Sequence, residues 1–375
     1  MTETIKGFKD KTGKEAEKAV FIREVAKQTF EKYNFQEIET PIIEDEKFVK
    51  GENLNDDVIS DVFKLQDKGK RNLALRYEFT FQLKRIAQNQ KLPFKRFQIG
   101  PVFRDEPVSG NRLRQFTQCD IDTIGATIKD EAEILAATKE ILDALKIKSV
   151  IYVNNRKLLN EILEEQAIKN KSEVIKELDK LDKLPVLEVK ENLRKLNAEK
   201  ILFVLKKPKE YFKKYKAFSE IVELAKYCKY YGFDVVFSPF LARGLSYYTG
   251  NVFEIKSDIK ETICGGGTYK VDNALATGIS FSIERLMAVT KILINIDRIL
   301  IVSLNQDRKA IALTKQLRRK GKNVSVYFGK PSKALEYSNS YGIKKVIFVG
   351  SKEVKVKKFK IKDMKTGKET LLKLS

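Results

Sequence analysis

The chain has 375 residues, 42% hydrophobic and 33% charged, enough to build two or three domains with real cores. Its 73 Lys+Arg outnumber 51 Asp+Glu, and the resulting +22 suits a polyanionic partner, most often nucleic acid. It contains no histidine. That excludes Ser-His-Asp and Cys-His catalysis, HExxH zinc sites and any histidine general base. Chemistry must fall to Arg, Lys, carboxylates, Tyr, Cys, backbone or a bound metal.

Apolar positions at Phe21, Val25, Phe30 and Tyr33 predict a helix over 14–34. Pro41 lies in an extended segment, 37–43, that belongs at an edge because proline gives a ladder no donor. Residues 74–88 read as a strand end running into a helix. Residues 97–104 and 112–124 form a long hairpin around a polar loop, 105–111. Alternation on the second strand puts Arg114, Phe116, Gln118, Asp120 and Asp122 on one face, costly to bury without partners. A helix follows over 128–146, and residues 147–229 turn to short Lys/Glu-rich helical pieces, read as an inserted module. Strands return at 234–238 and 247–255, and ALATGISFSIERLMAVT passes from strand to helix. The last segment alternates strands (299–304, 323–328, 345–349) with helices (307–320, 331–340) and closes on a hairpin turning at Asp363–Gly367. Residues 297–375 carry 21 Lys+Arg against 6 Asp+Glu, a net +15 of the total +22.

Cys119, Cys228 and Cys264 form no CxxC, so neither a zinc knuckle nor a disulfide framework is expected. The opening MTETIKGFKD lacks the apolar stretch of a signal peptide, and no apolar run approaches the ~18 residues of a membrane span. A soluble, cytoplasmic protein is expected.

Several groups of residues could carry chemistry, and each has a plainer reading. Arg104, Arg112 and Arg114, spread across the hairpin loop, could clamp a triphosphate or simply pair with local acids. Gln118 and Asp122 suit a ligand bearing N–H groups, or an internal ion pair with Arg114. Arg243-Gly244 would let a cation and backbone approach a phosphate. Tyr247 and Tyr248, adjacent on a strand, should point to opposite faces, so that only one lines a given pocket. Gly265-Gly266-Gly267 reads as a backbone nest or, more plainly, a tight turn; it is not a P-loop. Arg285 near a helix start could reach a phosphate or pair with Glu284.

In this order the motifs resemble the histidyl-tRNA synthetase family, of class II, over nearly the whole chain. GFKD at 7–10 and the Pro41 segment resemble the opening and the dimer-forming first motif. LRYEFT at 75–80 is similar to the strand that holds the substrate amine. FQIGPVFRDEPVSGNRLRQFTQCDIDTIG at 97–125 resembles the second motif and its extension, and ATGISFSIERL at 276–286 the third. LARGLSYYTGNVFE at 241–254 narrows the resemblance from class II to the histidyl enzymes. The final 79 residues resemble an anticodon-binding domain.

The resemblance implies an α/β and α+β multidomain chain. It has a class II antiparallel-sheet catalytic core (1–146 and 230–295), a helical insert (147–229) and a basic C-terminal α/β anticodon-binding domain (297–375). It implies ATP, with Mg²⁺ on its phosphates, L-histidine and tRNA(His) as substrates, no metal held by the protein alone, and a homodimer. It implies that Glu78 and Thr80, with Gln118 nearby, hold the α-amino group. Asp122 would accept from the imidazole, and Tyr247, Tyr248 and Tyr269 would complete that pocket. Arg104 would grip the α-phosphate, Glu106, Arg112 and Arg285 the rest of ATP, and Arg243 would be the catalytic cation opposite Arg104. Thr117, Thr268, Lys270 and Ser282 depart from the family's usual His, Arg, Asp and Gly. A silent paralogue acting as a histidine-sensing regulatory subunit is the competing expectation; such relatives generally lack the anticodon-binding domain.

Overall fold

The computed structural model describes residues 3–50, 61–108, 112–182, 184–243, 247–259 and 261–372, without the side chains of Lys50 and Asp182. The chain divides into two compact units, 1–292 and 293–375. In chain order the first contains α1 (Gly13–Lys32), β1 (Gln36–Glu37), β2 (Ile43–Asp45), α2 (Glu46–Lys50), β3 (Lys64–Gln66), β4 (Asn72–Leu75), α3 (Phe81–Ala87), β5 (Phe94–Phe103), β6 (Gln115–Ile124) and α4 (Ile128–Ala144). It continues with β7 (Val150–Asn155), α5 (Arg156–Glu165), α6 (Lys171–Asp179), α7 (Val186–Lys195), α8 (Ile201–Leu205), α9 (Phe218–Tyr230), β8 (Val236–Phe237), β9 (Tyr248–Lys256), β10 (Cys264–Val271), β11 (Ala274–Ser282) and α10 (Ile283–Val289).

Its large sheet has the order β1-β5-β6-β11-β10-β9-β7-β8. Only the outermost pairs, β1 with β5 and β7 with β8, are parallel. The hairpin register sets Arg96 opposite Asp122 and Gln98 opposite Asp120, and β11 lays Gly278 beside Asp122. Strands distant in sequence thus become neighbours, which brings the candidate residues of β6, β9, β10 and β11 into one layer.

Helix α1 buries Ala19, Ile22, Ala26 and Phe30. The predicted stripe was displaced: Phe21, Val25 and Tyr33 are only partly buried. Small alanines let the helix approach the sheet closely, so the larger neighbours lie along the flank. Phe30 packs against Phe97 with ring centroids 5.3 Å apart. Burying such a ring stabilises by roughly 1.5–3 kcal/mol.

Pro41 is in no strand; it lies in the connection between β1 and β2. The predicted 147–229 insert also starts too early, because β7 pairs along its whole length with β9 in the large sheet. Asn155 ends that strand and caps α5, its side chain accepting from Lys157 N–H at 2.8 Å. Beyond it, α5–α9 share one continuous apolar core with α1, α4 and the sheet.

The second unit runs β12 (Arg298–Ser303), α11 (Asp307–Arg319), β13 (Asn323–Phe328), α12 (Pro331–Ser340), β14 (Lys345–Val349), α13 (Ser351–Val356), β15 (Lys360–Asp363) and β16 (Glu369–Leu371). Its sheet order is β13-β12-β14-β15-β16, parallel at the first two pairings and antiparallel at the last two. Central β12 is apolar on both faces: Ile299 and Ile301 pack with α11, Leu300 and Val302 with Ala334 of α12. The predicted order holds throughout; α13 is the element it lacked.

Candidate active site

The site is assembled on the large sheet. Buried Arg76 donates to Pro101 O at 2.7 Å and Thr40 O at 2.8 Å, pinning the segment between β4 and α3 to β5. Glu78 follows, buried at 6% exposure, with Thr80 at the start of α3. Arg104 leaves the end of β5 with its guanidinium 4.4 Å from the Tyr77 ring centroid and 5.0 Å from that of Phe116. It donates to Gln118 Oε1 at 3.1 Å, and Gln118 in turn donates to Asp120 at 3.1 Å. Tyr77 OH donates to Glu106 at 3.1 Å, and Arg112 stands 3.7 Å from the same carboxylate. Arg114 pairs with Asp105 at 3.2 Å, outside the buried layer.

Asp122 therefore has a different partner from the one expected. Not Arg114 but Arg96, fully buried on β5, approaches Asp122 Oδ2 to 2.7 Å. Tyr269 OH donates to the other oxygen of Asp122. The predicted divergence of Tyr247 and Tyr248 is also overturned: their ring centroids are 4.7 Å apart, and Tyr247 lies 5.6 Å from Tyr269. Strand β9 begins only at Tyr248, so Tyr247 sits in a turn and escapes the alternation. The three tyrosines form one aromatic wall beside Asp122.

Arg243 precedes that turn; Gly244 lies outside the described residues, as do 109–111 of the hairpin loop. The Arg243 guanidinium donates to Glu254 at 2.9 Å, and Thr262 donates to the second oxygen of Glu254, also at 2.9 Å. Burial opposes the charge on Arg243, but Tyr248 and Glu254 outweigh it and raise its pKa. The three glycines at 265–267 form neither turn nor nest; they lie inside β10. A Cβ on Gly265 would stand 2.7 Å from Arg243 Cζ, and one on Gly267 2.8 Å from the Tyr248 ring. Glycine there makes room for the site's own side chains.

Arg285 on α10 donates to Thr262 O at 2.9 Å. Burial lowers its pKa, and Arg104, Arg112 and Arg243 lower it further. Four guanidiniums thus share one region, an arrangement that repels itself unless a polyanion enters.

Burial pushes Glu78 up to about 7 against the opposing pull of Arg104 and Thr80, with Asp122 adding to the rise. A Glu78 that holds an ammonium must be ionised. On the amine-holding role that the resemblance implies for Glu78, histidine kcat/KM in ATP–pyrophosphate exchange should climb between pH 6 and 8 and level off above. Free histidine loses its own imidazole proton over part of this range, so the comparison is with Glu78→Gln, in which the Glu78 component disappears. Identical profiles for both proteins would remove Glu78 from amine binding.

A family model for histidyl-tRNA synthetases matches residues 7–286, and one for an anticodon-binding domain matches residues 298–375. The chain belongs to the histidyl-tRNA synthetase family. It is 31% identical to histidine–tRNA ligase 1 of Bacillus cereus, with all of this chain and 95% of that protein aligned. The histidyl-tRNA synthetase of Nostoc sp. PCC 7120 superposes with a TM-score of 0.85 at 24% identity, covering 99% of this chain and 96% of that one. A Bacillus halodurans protein described as an ATP phosphoribosyltransferase regulatory subunit/histidyl-tRNA synthetase reaches 0.77 at 20% identity, over 93% and 98%. At these identities the two structures speak for the fold alone.

Two of the four departures from the family pattern, Ser282 and Thr268, have side chains with local roles. Ser282 caps α10, its hydroxyl accepting from Arg285 N–H at 3.1 Å. Thr268 donates to buried Glu131, which also accepts from Asn251 at 2.7 Å. Thr117 N–H donates to the Glu284 carboxylate at 3.0 Å, and Lys11 pairs with that same group. Lys270 is exposed. Sequence reading missed Arg96, Glu254 and Thr262, and offered Glu284 to Arg285 when it accepts from Thr117 N–H and pairs with Lys11. Arg96 faces Asp122 only in the register that pairs Phe103 with Gln115, which the predicted strand ends, 104 and 112, miss by two residues; no local signal marks Glu254 or Thr262.

Proposed function

We propose that this histidine–tRNA ligase runs its reaction through the residues just described. The chain is an aminoacyl-tRNA synthetase by family, and family members use ATP. The observation that carries the residue assignment is the gathering of Arg104, Arg112, Arg243 and Arg285 beside a carboxylate-lined aromatic pocket. Glu78 and Thr80 hold the α-ammonium of L-histidine, with Gln118 alongside. Asp122 accepts from an imidazole N–H, and Tyr247, Tyr248 and Tyr269 enclose the ring.

The histidine carboxylate then attacks the α-phosphorus of MgATP. A new P–O bond forms, the bond to the bridging oxygen breaks, and pyrophosphate leaves. The nucleophile is already ionised, so the step needs no general base, in keeping with a chain that has no histidine. Catalysis is positioning plus charge stabilisation. Arg104 and Arg243 stabilise the charge at the reacting phosphorus, while Arg112, Arg285 and Glu106 hold the rest of the nucleotide. The terminal ribose hydroxyl of tRNA(His) next attacks the histidyl carbonyl and releases AMP, with a phosphate oxygen of the adenylate taking the proton.

The working division is a catalytic core of 1–146 and 230–295, extended by strand β7, a helical insert, and an anticodon-binding domain at 297–375 whose +15 suits the tRNA backbone. A homodimer and a cytoplasmic location complete the proposal. Among the described residues no helix is long and apolar enough to cross a membrane.

The direct experiment is ATP–pyrophosphate exchange with each amino acid in turn. Exchange with histidine alone is expected. Background rates with all twenty would favour the histidine-sensing paralogue.

A further inference from the structure

Beneath the aromatic wall lies a group of buried polar atoms that the mechanism above leaves unused. Arg96 on β5 is fully buried. Around it stand Asp122 and Asp120 on β6, Glu78 ahead of α3, and Gln98 two residues along its own strand, all buried. Arg96 Nη2 comes within 2.7 Å of Asp122 Oδ2, but off the line of a good hydrogen bond. None of its guanidinium nitrogens has an aligned acceptor among the described residues. Glu78 Oε1, Gln98 Oε1 and Asp120 Oδ1 likewise lack donors.

Such a group is not explained by stability. Each buried charge costs several kcal/mol in lost hydration, and well-packed apolar residues commonly replace a buried ion pair at no loss. Three carboxylates around one fully buried guanidinium also crowd one another, and burial raises the pKa of each. A cationic ligand at Glu78 and an N–H donor at Asp122 would supply donors to Glu78 Oε1 and Asp122 Oδ2 and a positive charge beside them.

We propose that Arg96 is a positioning residue for histidine recognition, aiming Asp122 from beneath and supplying the buried counter-charge that an imidazole-binding carboxylate needs. This rests on the assignment of Asp122 to the imidazole. The geometry favours it. Arg96 lies against Asp122 Oδ2 and Tyr269 donates to Oδ1, so two different strands fix the carboxylate while Oδ2 still lacks a hydrogen-bond donor. Gly278 completes the clamp, since a Cβ there would stand 2.6 Å from Asp122 Cγ.

The titratable and charged groups facing Asp122 are Arg96 from β5, Tyr269 from β10, Asp120 on its own strand and Glu78 from the loop ahead of α3. Burial raises the Asp122 pKa, and Arg96 and Tyr269 oppose that rise. Without Arg96, burial would push the carboxyl further up.

The test is ATP–pyrophosphate exchange by the full chain, wild type against Arg96→Met, with KM and kcat for histidine and ATP measured from pH 6.5 to 9. Losing the charge behind a charged hydrogen-bonding group should raise the histidine KM roughly ten- to hundredfold at pH 7. The ATP KM and kcat should stay within about threefold, because Arg96 touches neither phosphate nor reacting atoms. The added histidine KM penalty should shrink as pH rises and Asp122 ionises again. In an Asp122→Asn background, Arg96→Met should cost little more, since the pair acts as a unit. A histidine KM that matches wild type, or that rises equally at every pH together with the ATP KM, would overturn the role. Should Arg96→Met fail to fold, Arg96→Lys carries the test. It keeps the charge but loses the fork, so a several-fold rise in histidine KM alone is expected, and unchanged constants would sink the idea. If the wild-type protein does not exchange with histidine at all, the fault lies with the proposed function and not with Arg96.

Discussion

Arg243→Ala should lower histidine-dependent exchange on the order of 10³-fold, the scale seen when a cation is removed from a transferring phosphoryl group. Histidine KM should move far less, because the interaction strengthens as charge builds on phosphorus in the transition state. The structure gives the reason for so large an effect. Glu254 holds the guanidinium at 2.9 Å and is itself held by Thr262 at 2.9 Å, so the cation is fixed before substrate arrives. Arg243→Lys should recover little of the loss, since a flexible ammonium cannot fill the same fork. Steady-state exchange kinetics decide the matter: equal losses in binding and turnover would assign Arg243 to ground-state binding instead.

Adjacent glycines on β10 should respond in opposite ways. A methyl group at Gly265 meets the head of Arg243, 2.7 Å away at Cζ, the end of a side chain that can move by giving up its Glu254 bond. Gly265→Ala should therefore leave the melting temperature within a few degrees of wild type while cutting exchange about a hundredfold. A methyl group at Gly266 meets the backbone of β11, 2.7 Å from Ile279 Cα, which cannot give without breaking the sheet. Gly266→Ala should cost about 1–3 kcal/mol or more of stability, the usual cost of overpacking. Thermal unfolding and exchange measured on both proteins check this. A Gly265→Ala enzyme with full activity would mean that Arg243 is not needed where it lies.

What the sequence made legible, and what it did not, follows from the range of the forces involved. The elements of the second unit were read almost to the residue. Apolar strands such as Arg298–Ser303 and amphipathic helices such as Asp307–Arg319 declare themselves through local periodicity. The hairpin of β5 and β6 was legible for the same reason. The glycine run was misread because three glycines look like a turn until the crowding of Arg243, Tyr248 and β11 against them is known. The Tyr247–Tyr248 stack was misread because strand alternation was applied one residue before the strand begins. The ion pair of Asp122 was given to Arg114, near in sequence, when the true partner faces it across the hairpin. Thr262 reaches Glu254, the partner of Arg243, only through the pairing of β9 with β10, which no local pattern encodes.

Arg104, Arg112 and Arg243 around Arg285 also bear on what leaves the site. Their mutual repulsion is relieved by whichever polyphosphate arrives, and they do not distinguish an incoming nucleotide from a departing fragment. Cations that attract the nucleotide will equally detain the pyrophosphate it leaves behind. On the proposed assignment, charging would gain from any removal of pyrophosphate as it is shed.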